Sequence, residues 1–229
     1  MKLALFDIDG TILVSDGAGR RAIHRALREV FGGTGPDDHR FDGKTDPQIV
    51  RELMRLDGHD DARIDAGLPD VLDRYVRYLE RELADPAYAP RLLGGVLPLL
   101  DALEARDDVT LGLLTGNVEA GARAKLRAAG VDPARFTNSA FGSDSEHRPD
   151  LPAVAQRRAI ESLGAALPGE RVVVIGDTPA DVQCGRAIGA RAIGVATGRY
   201  AAEELEAHAP AYVFADLTDT RAVVEAIVG

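Results

Sequence analysis

Near its amino terminus the chain reads Leu3-Ala4-Leu5-Phe6-Asp7-Ile8-Asp9-Gly10-Thr11. A short apolar run that stops at a turn signal predicts a buried strand. In an open sheet of parallel strands, ligands bind in the crevice beyond the carboxyl ends of the strands. Asp7 and Asp9 are therefore expected at a binding site. Gly10 permits the sharp turn that follows, because it has no Cβ.

The carboxylates of Asp7 and Asp9 are one residue apart and would repel each other unless a cation neutralises them. Mg²⁺ prefers oxygen ligands. With such an ion bound, one carboxylate can act as a nucleophile while the other handles a proton. A strand followed by an aspartate-rich turn would give the same short pattern, because Asp and Gly both favour turns. The rest of the chain has to decide between these two interpretations.

The composition limits the class of partner. The 229 residues are 45% hydrophobic and 28% charged, and the net charge is −10. Nucleic acids and anionic membranes bind basic surfaces, so we expect neither partner, and no apolar run approaches the length that spans a membrane. The single cysteine, Cys184, excludes an intramolecular disulfide. Together with the lack of an apolar leader segment, this predicts a cytoplasmic location.

The pattern of apolar residues divides the chain. Residues 16 to about 88 show helical spacing only, with three predicted helices at about 16–31, 47–56 and 68–83. Residues 1–15 and 89–229 hold the strands, which alternate with helices from Gly95 onward. Alternating strands and helices are typical of a parallel sheet covered on both faces. We therefore predict a doubly wound, Rossmann-like α/β core, residues 1–15 and 89–229, with an inserted α-helical cap domain, residues 16–88.

Three predicted strands end in polar residues that suit one ligand. The strand ends read Asp7-x-Asp9, Thr115-Gly116-Asn117 and Gly176-Asp177-x-x-x-Asp181. In a parallel sheet all three ends open at the same edge, which gathers up to four carboxylates, a hydroxyl and two glycine turns. Carboxylates in that number need a divalent cation. Free backbone N–H groups at helix amino termini suit a phosphoryl oxygen. Helix capping explains each motif singly, but the ordered set favours a catalytic site.

With these motifs the chain resembles the haloacid dehalogenase-like hydrolase superfamily, in the phosphoglycolate-phosphatase-like branch that carries a helical cap after the first strand. The resemblance covers nearly the whole chain. It rests on DxDGT at Asp7–Thr11, a hydrophobic residue followed by TGN at Leu114–Asn117, and GDxxxD at Gly176–Asp181.

The resemblance implies a role for each motif residue. Asp7 would attack phosphorus and form an aspartyl-phosphate. Asp9 would protonate the leaving oxygen and then deprotonate the water that hydrolyses this intermediate. Thr115 would hold a phosphoryl oxygen with the N–H of Gly116, and Gly116 and Asn117 would bind the substrate.

The cofactor that the resemblance implies is Mg²⁺. Its ligands would be the Asp7 carboxylate, the Asp9 carbonyl oxygen and Asp177, while Asp181 would order its water shell or ligate it directly. Phosphoryl transfer depends mainly on positioning and charge stabilisation, which agrees with such a site.

The chain departs from the family pattern at one position. Where the family normally has a lysine before the fourth helix, this chain reads His147-Arg148-Pro149. We assign the lysine's role to Arg148, whose guanidinium can contact two oxygens at once but is bulkier. Lys44, in the predicted cap loop Phe41–Pro47, is a candidate substrate-binding residue, because a closing cap would bring it to the site and exclude water.

The predicted function is a Mg²⁺-dependent phosphatase of a small phosphorylated metabolite, of phosphoglycolate or sugar-phosphate type, acting through an aspartyl-phosphate. One alternative is a phosphomutase of the β-phosphoglucomutase type, which returns the phosphoryl group to the sugar. Another is a binding protein that keeps the fold without turnover. The sequence leaves the substrate and the oligomeric state open, because substrate choice depends on contacts made by the closed cap.

Overall fold

The computed structural model describes all residues, 1–229. Its strands, in chain order, are β1 Lys2–Phe6, β2 Leu13–Val14, β3 Arg91–Leu92, β4 Val109–Thr115, β5 Ala140–Phe141, β6 Val172–Gly176, β7 Arg191–Val195 and β8 Tyr212–Phe214. The helices are α1 Ala18–Phe31, α2 Asp46–Leu56, α3 Asp61–Leu83, α4 Val96–Glu104, α5 Glu119–Ala128, α6 Leu151–Leu163, α7 Pro179–Cys184, α8 Ala202–Glu206 and α9 Thr220–Val228.

Six strands form one parallel sheet in the order β5-β4-β1-β6-β7-β8. The first strand lies at its centre, and Phe6 pairs with Leu113 of β4 on one side and with Ile175 of β6 on the other. The carboxyl ends of β1, β4 and β6 therefore lie within two residues of one another. This register brings the three predicted motifs to one edge of the sheet.

Both faces of the sheet are covered, as the continuous apolar strands predict. Along β1, Ala4 and Phe6 face one buried layer, which includes residues of α4, α5 and α9. Leu3 and Leu5 face the opposite layer, which includes residues of α6 and Cys184 of α7. The alternation follows from the two-residue period of a strand. The predicted doubly wound α/β fold is confirmed.

The helices α1, α2 and α3 pack around a buried cluster of their own, which includes Ile23, Leu53 and Tyr75. We propose residues 16–88 as the cap. The chain enters it through β2 and leaves it through β3, and these two strands form an antiparallel ribbon with Leu13 beside Leu92. The cluster also takes in Val118, beside α5 of the core, so the helices rest directly on the carboxyl edge of the sheet.

One element begins earlier than its pattern indicates. The apolar spacing predicts that the third helix starts near Leu68. The helix in fact begins at Asp61, where the Asp60 carboxylate accepts a hydrogen bond from the Arg63 N–H at 2.8 Å, and it continues through Pro69.

No helix of the structure combines the length and the apolar character needed to cross a membrane.

Candidate active site

A cavity of about 430 Å³ lies between the carboxyl edge of the sheet and the three helices above it. All but one of the predicted site residues line it, including those of the three strand ends: Asp7, Asp9, Lys44, Thr115, Gly116, Asn117, Arg148 and Asp177. The exception, Asp181, is completely buried beneath the cavity floor.

Three carboxylates of the floor form a compact acidic cluster. Oxygen atoms of Asp7, Asp177 and Asp181 lie within 4.8 Å of one another, and all three side chains are buried. Burial raises the pKa of both Asp7 and Asp177, and the charge of Asp181 raises them further. A buried cluster of this kind is costly in the ionised form unless positive charge is supplied. The donor set consists of hard oxygens, which fit Mg²⁺.

Asp181 is held in place by α7. Its Oδ2 accepts hydrogen bonds from the N–H and the hydroxyl of Thr178, at 3.0 and 2.7 Å, in a capping box that begins the helix. Its Oδ1 accepts a hydrogen bond from Arg148 at 2.5 Å. Both oxygens of Asp181 therefore have protein partners, whereas the only partner of the Asp177 carboxylate is a 3.3 Å bond from Thr11. Asp7 and Asp177 are the members of the cluster most available to a cation.

Arg148 brings positive charge to the carboxylate of Asp7. Its side chain is 5% exposed, and Nη2 lies 3.3 Å from Oδ2 of Asp7 as well as beside Asp181. A short helical turn at Arg148–Asp150, just before α6, directs it into the site. Its Nε is buried and has no hydrogen-bond partner. The arginine thus occupies a position from which it can contact both Asp7 and a group bound to it.

Thr115 is arranged to donate a hydrogen bond. Its hydroxyl oxygen accepts bonds from the N–H of Asn117 at 3.3 Å and from the Asn117 side chain at 2.8 Å. A hydroxyl has one proton and two acceptor positions, so its proton remains for a ligand in the cavity. The same Asn117 amide group also donates to Oδ2 of Asp9 at 2.8 Å.

The structure places at the site a buried lysine that the sequence patterns did not select. Lys125 of α5 is buried, and its ammonium lies 2.6 Å from Oδ2 of Asp9 and 2.7 Å from the side-chain oxygen of Asn117. Although enclosure by the protein opposes ionisation, Lys125, Asn117 and Ser15 together hold the pKa of Asp9 below its usual range. The available signal was its helical spacing after Val118 and Ala122, which puts a lysine on an apolar face.

Asp46 joins the cap to the core and was also not selected. Its N–H donates to the carbonyl of Gly116, and its carboxylate accepts from the N–H of Val118, both at 2.8 Å. Burial raises the pKa of Asp46 to about 6. The amino terminus of α2 therefore rests directly on the Thr115–Asn117 turn.

Lys44 lies in the loop that covers this turn, but its ammonium is engaged within the cap. It forms an ion pair with Glu52 and a 3.2 Å contact with Nε2 of His39. Its carbonyl oxygen is the part of the residue closest to Gly116, because a Cβ at that glycine would lie only 1.9 Å from it. Contact between the Lys44 ammonium and a substrate would require a change of partner.

Comparison with known proteins agrees with this geometry. The family model for haloacid dehalogenase-like hydrolases matches residues 4–186. A 5'-nucleotidase of Pseudomonas aeruginosa is 30% identical over 225 residues, covering 96% of this chain and 94% of that protein. A phosphoglycolate phosphatase of Rhodospirillum rubrum is 30% identical over 228 residues, covering 94% and 87%. The solved structure of a hydrolase from Pseudomonas syringae superposes with a TM-score of 0.72, at 24% identity and 99% coverage of both chains.

Proposed function

The chain belongs to the haloacid dehalogenase-like hydrolase family, and we propose that it hydrolyses a small phosphorylated metabolite in a Mg²⁺-dependent reaction through an aspartyl-phosphate on Asp7. Its curated relatives are named as phosphatases and a nucleotidase, so it is a phosphoric monoester hydrolase. The observation that carries the finer proposal is the group of Asp7, Arg148 and Thr115 at one end of the cavity.

In the first step the Asp7 carboxylate would attack phosphorus, so that an Asp7 oxygen–phosphorus bond forms as the ester bond to the leaving oxygen breaks. Thr115 would donate its free proton to a phosphoryl oxygen, aided by the N–H of Gly116. Arg148 would balance the negative charge that gathers on the phosphoryl group, as guanidinium groups do in phosphoryl transfer. Asp9 would give a proton to the leaving oxygen.

In the second step water would attack the phosphorus of the aspartyl-phosphate, and Asp9 would accept the water's proton as Asp7 is released. Asp7 and Asp177 would hold Mg²⁺ together with the Asp9 carbonyl oxygen. Asp181 would hold Arg148 in place or would order the water shell of the ion. When bound, the ion would supply positive charge next to the phosphoryl oxygens. Neutralisation of the acidic cluster fits the raised pKa values of Asp7 and Asp177.

The cavity supports a small substrate that reaches from the core into the cap. Its upper wall includes Arg20, Ile23 and Phe41, and the Arg20 guanidinium lies 3.9 Å from the centre of the Phe41 ring. Two backbone carbonyls accept hydrogen bonds from Arg20, and no carboxylate forms an ion pair with it. The upper wall thus combines one cation that no carboxylate neutralises with apolar surface, which suits phosphoglycolate or a sugar phosphate.

The test is phosphate release from a panel that contains phosphoglycolate, sugar phosphates and nucleoside monophosphates, with Mg²⁺ and with a chelator. Release that needs Mg²⁺ supports the proposal, and the preferred compound identifies what the cap recognises. Isomer formation on a sugar phosphate without net release would support a mutase instead. Metal binding without turnover on any compound would support a binding protein.

A further inference from the structure

Lys125 is a buried cation at the active site to which the reaction described above assigns no task. Its side chain is only 5% exposed, although it lies on a helix whose charged neighbours face solvent. Lys and Arg are rarely buried to this extent without a charged partner. The partner is Asp9, whose sequence position is 116 residues away, and the two side chains meet at 2.6 Å.

The contacts of Asp9 distinguish its two carboxylate oxygens. Oδ2 accepts hydrogen bonds from both Lys125 at 2.6 Å and Asn117 at 2.8 Å. Oδ1 has only a long contact from the Ser15 hydroxyl, at 3.3 Å. The first oxygen is therefore fixed by two short bonds, one of them charge-assisted, and the second remains free to exchange a proton with a group in the cavity.

Lys125 and Arg148 serve different carboxylates. Arg148 contacts Asp7 and Asp181, whereas the Lys125 ammonium contacts Asp9 and the Asn117 amide oxygen. The amide nitrogen of Asn117 bonds to Asp9 and to Thr115. A closed set of hydrogen bonds thus joins Lys125, Asn117 and Asp9, and it determines the direction in which the Asp9 carboxylate points.

We propose that Lys125 is a positioning residue, which holds Oδ2 of Asp9 so that Oδ1 is presented to the leaving oxygen of the phosphoester. This inference rests on the proposed function, because it concerns proton delivery by Asp9 in the first step. The charge of Lys125 lowers the pKa of Asp9 and so works against its protonation, and the contribution of Lys125 is therefore one of position and not of acidity. A general acid must lie within hydrogen-bond reach of the atom that it protonates, and small errors in position cost large factors in rate.

The test compares a poor and a good leaving group. An alkyl phosphate needs a proton on its leaving oxygen, whereas p-nitrophenyl phosphate releases a stable phenolate without one. The readout is kcat/KM, which reports steps up to departure of the leaving group and excludes hydrolysis of the aspartyl-phosphate. We expect Lys125→Met to lower kcat/KM by about 100-fold for the alkyl phosphate and by less than about 5-fold for the aryl phosphate, since general acids contribute roughly 10²–10⁴-fold.

Lys125→Gln is the second variant, because its amide keeps an N–H donor for Asp9 without the charge. Its kcat/KM for the alkyl phosphate should lie between the values of wild type and Lys125→Met. Arg123→Met is the matched control. It removes a cation from the same helix, at a side chain that is paired with Glu119 on the surface. The kcat/KM for both substrates should stay within about twofold of the wild-type values.

Equal losses on the two substrates would overturn the proposal and would show that Lys125 supports the site only in general. Failure of both Lys125 variants to fold, judged by circular dichroism, would show a purely structural role and would overturn it as well. Wild-type protein that releases phosphate from neither substrate would contradict the proposed function itself, so the two failures are distinguishable.

Discussion

Replacement of Asp46 by asparagine should stabilise the protein, and by an amount that grows with pH. Burial raises the pKa of this carboxyl to about 6 from an ordinary value of 3.8. Between pH 3.8 and about 6 the carboxyl is ionised in the unfolded chain but still protonated in the folded protein. The free energy of unfolding therefore falls as the pH rises from 3.8 through about 6. Relative to its value well below pH 3.8, the free energy of unfolding is lower by about 3 kcal/mol at pH 7.5 and by about 1.6 kcal/mol at pH 5. An asparagine cannot ionise, and its side-chain oxygen can still accept from Val118.

The assay is urea unfolding of wild type and Asp46→Asn at about pH 5 and about pH 7.5. The free energy of unfolding of the variant minus that of wild type should be larger at pH 7.5 than at pH 5 by about 1.4 kcal/mol. Any constant effect of the amide cancels in this difference. Asp61→Asn is the control, because a hydrogen bond from Arg55 holds the pKa of Asp61 below its usual range, and its difference from wild type should not move in the same direction. A pH-independent difference for Asp46→Asn would refute the reasoning.

Substitutions at three further positions test other parts of the site. Asp7→Asn should abolish phosphate release and leave the circular dichroism spectrum unchanged, and near-normal turnover would end the aspartyl-phosphate mechanism. Arg148→Met leaves Asp7 and Asp181 without their buried cation, so it should lower the free energy of unfolding in urea by roughly 3–5 kcal/mol. Arg148→Lys should restore part of the stability and of the activity. A methionine variant as stable as wild type would contradict this expectation. Gly116→Ala places a Cβ 1.9 Å from the Lys44 carbonyl, so kcat/KM should fall by about 100-fold, and unchanged kinetics would show that the cap loop yields.

The sequence was sufficient to predict the sheet and the motifs at its edge, because both depend on local signals. The apolar strand that ends at Asp7 and the glycine turns at Gly116 and Gly176 are short-range patterns. The parallel topology then brings the ends of adjacent strands together without further information. The departure at Arg148 could be located for the same reason, since it immediately precedes the helix that follows the third core strand in the chain.

Local patterns do not identify the partners of Lys125 and Asp46, because those partners are far away along the chain. A lysine within an amphipathic helix normally points to solvent, and only the packing of α5 beneath the cap brings its ammonium to Asp9. Similarly, an aspartate next to a proline at the start of a helix reads as a capping residue. Thr45 is the actual cap of α2, with its hydroxyl accepting from the Gln48 N–H at 3.2 Å, and the Asp46 carboxylate is free to bond to Val118.

The ribbon formed by β2 and β3 has a consequence for the architecture of the chain. Its two strands are neighbours in an antiparallel pair, so the points where the chain leaves and rejoins the catalytic core are separated by only about 5 Å. An insertion between two such points changes neither the strand order nor the register of the sheet. Helices of different length or number could be exchanged there while the carboxylates of the floor stay in place. With the function proposed above, substrate choice and phosphoryl chemistry would be encoded in separable parts of one chain.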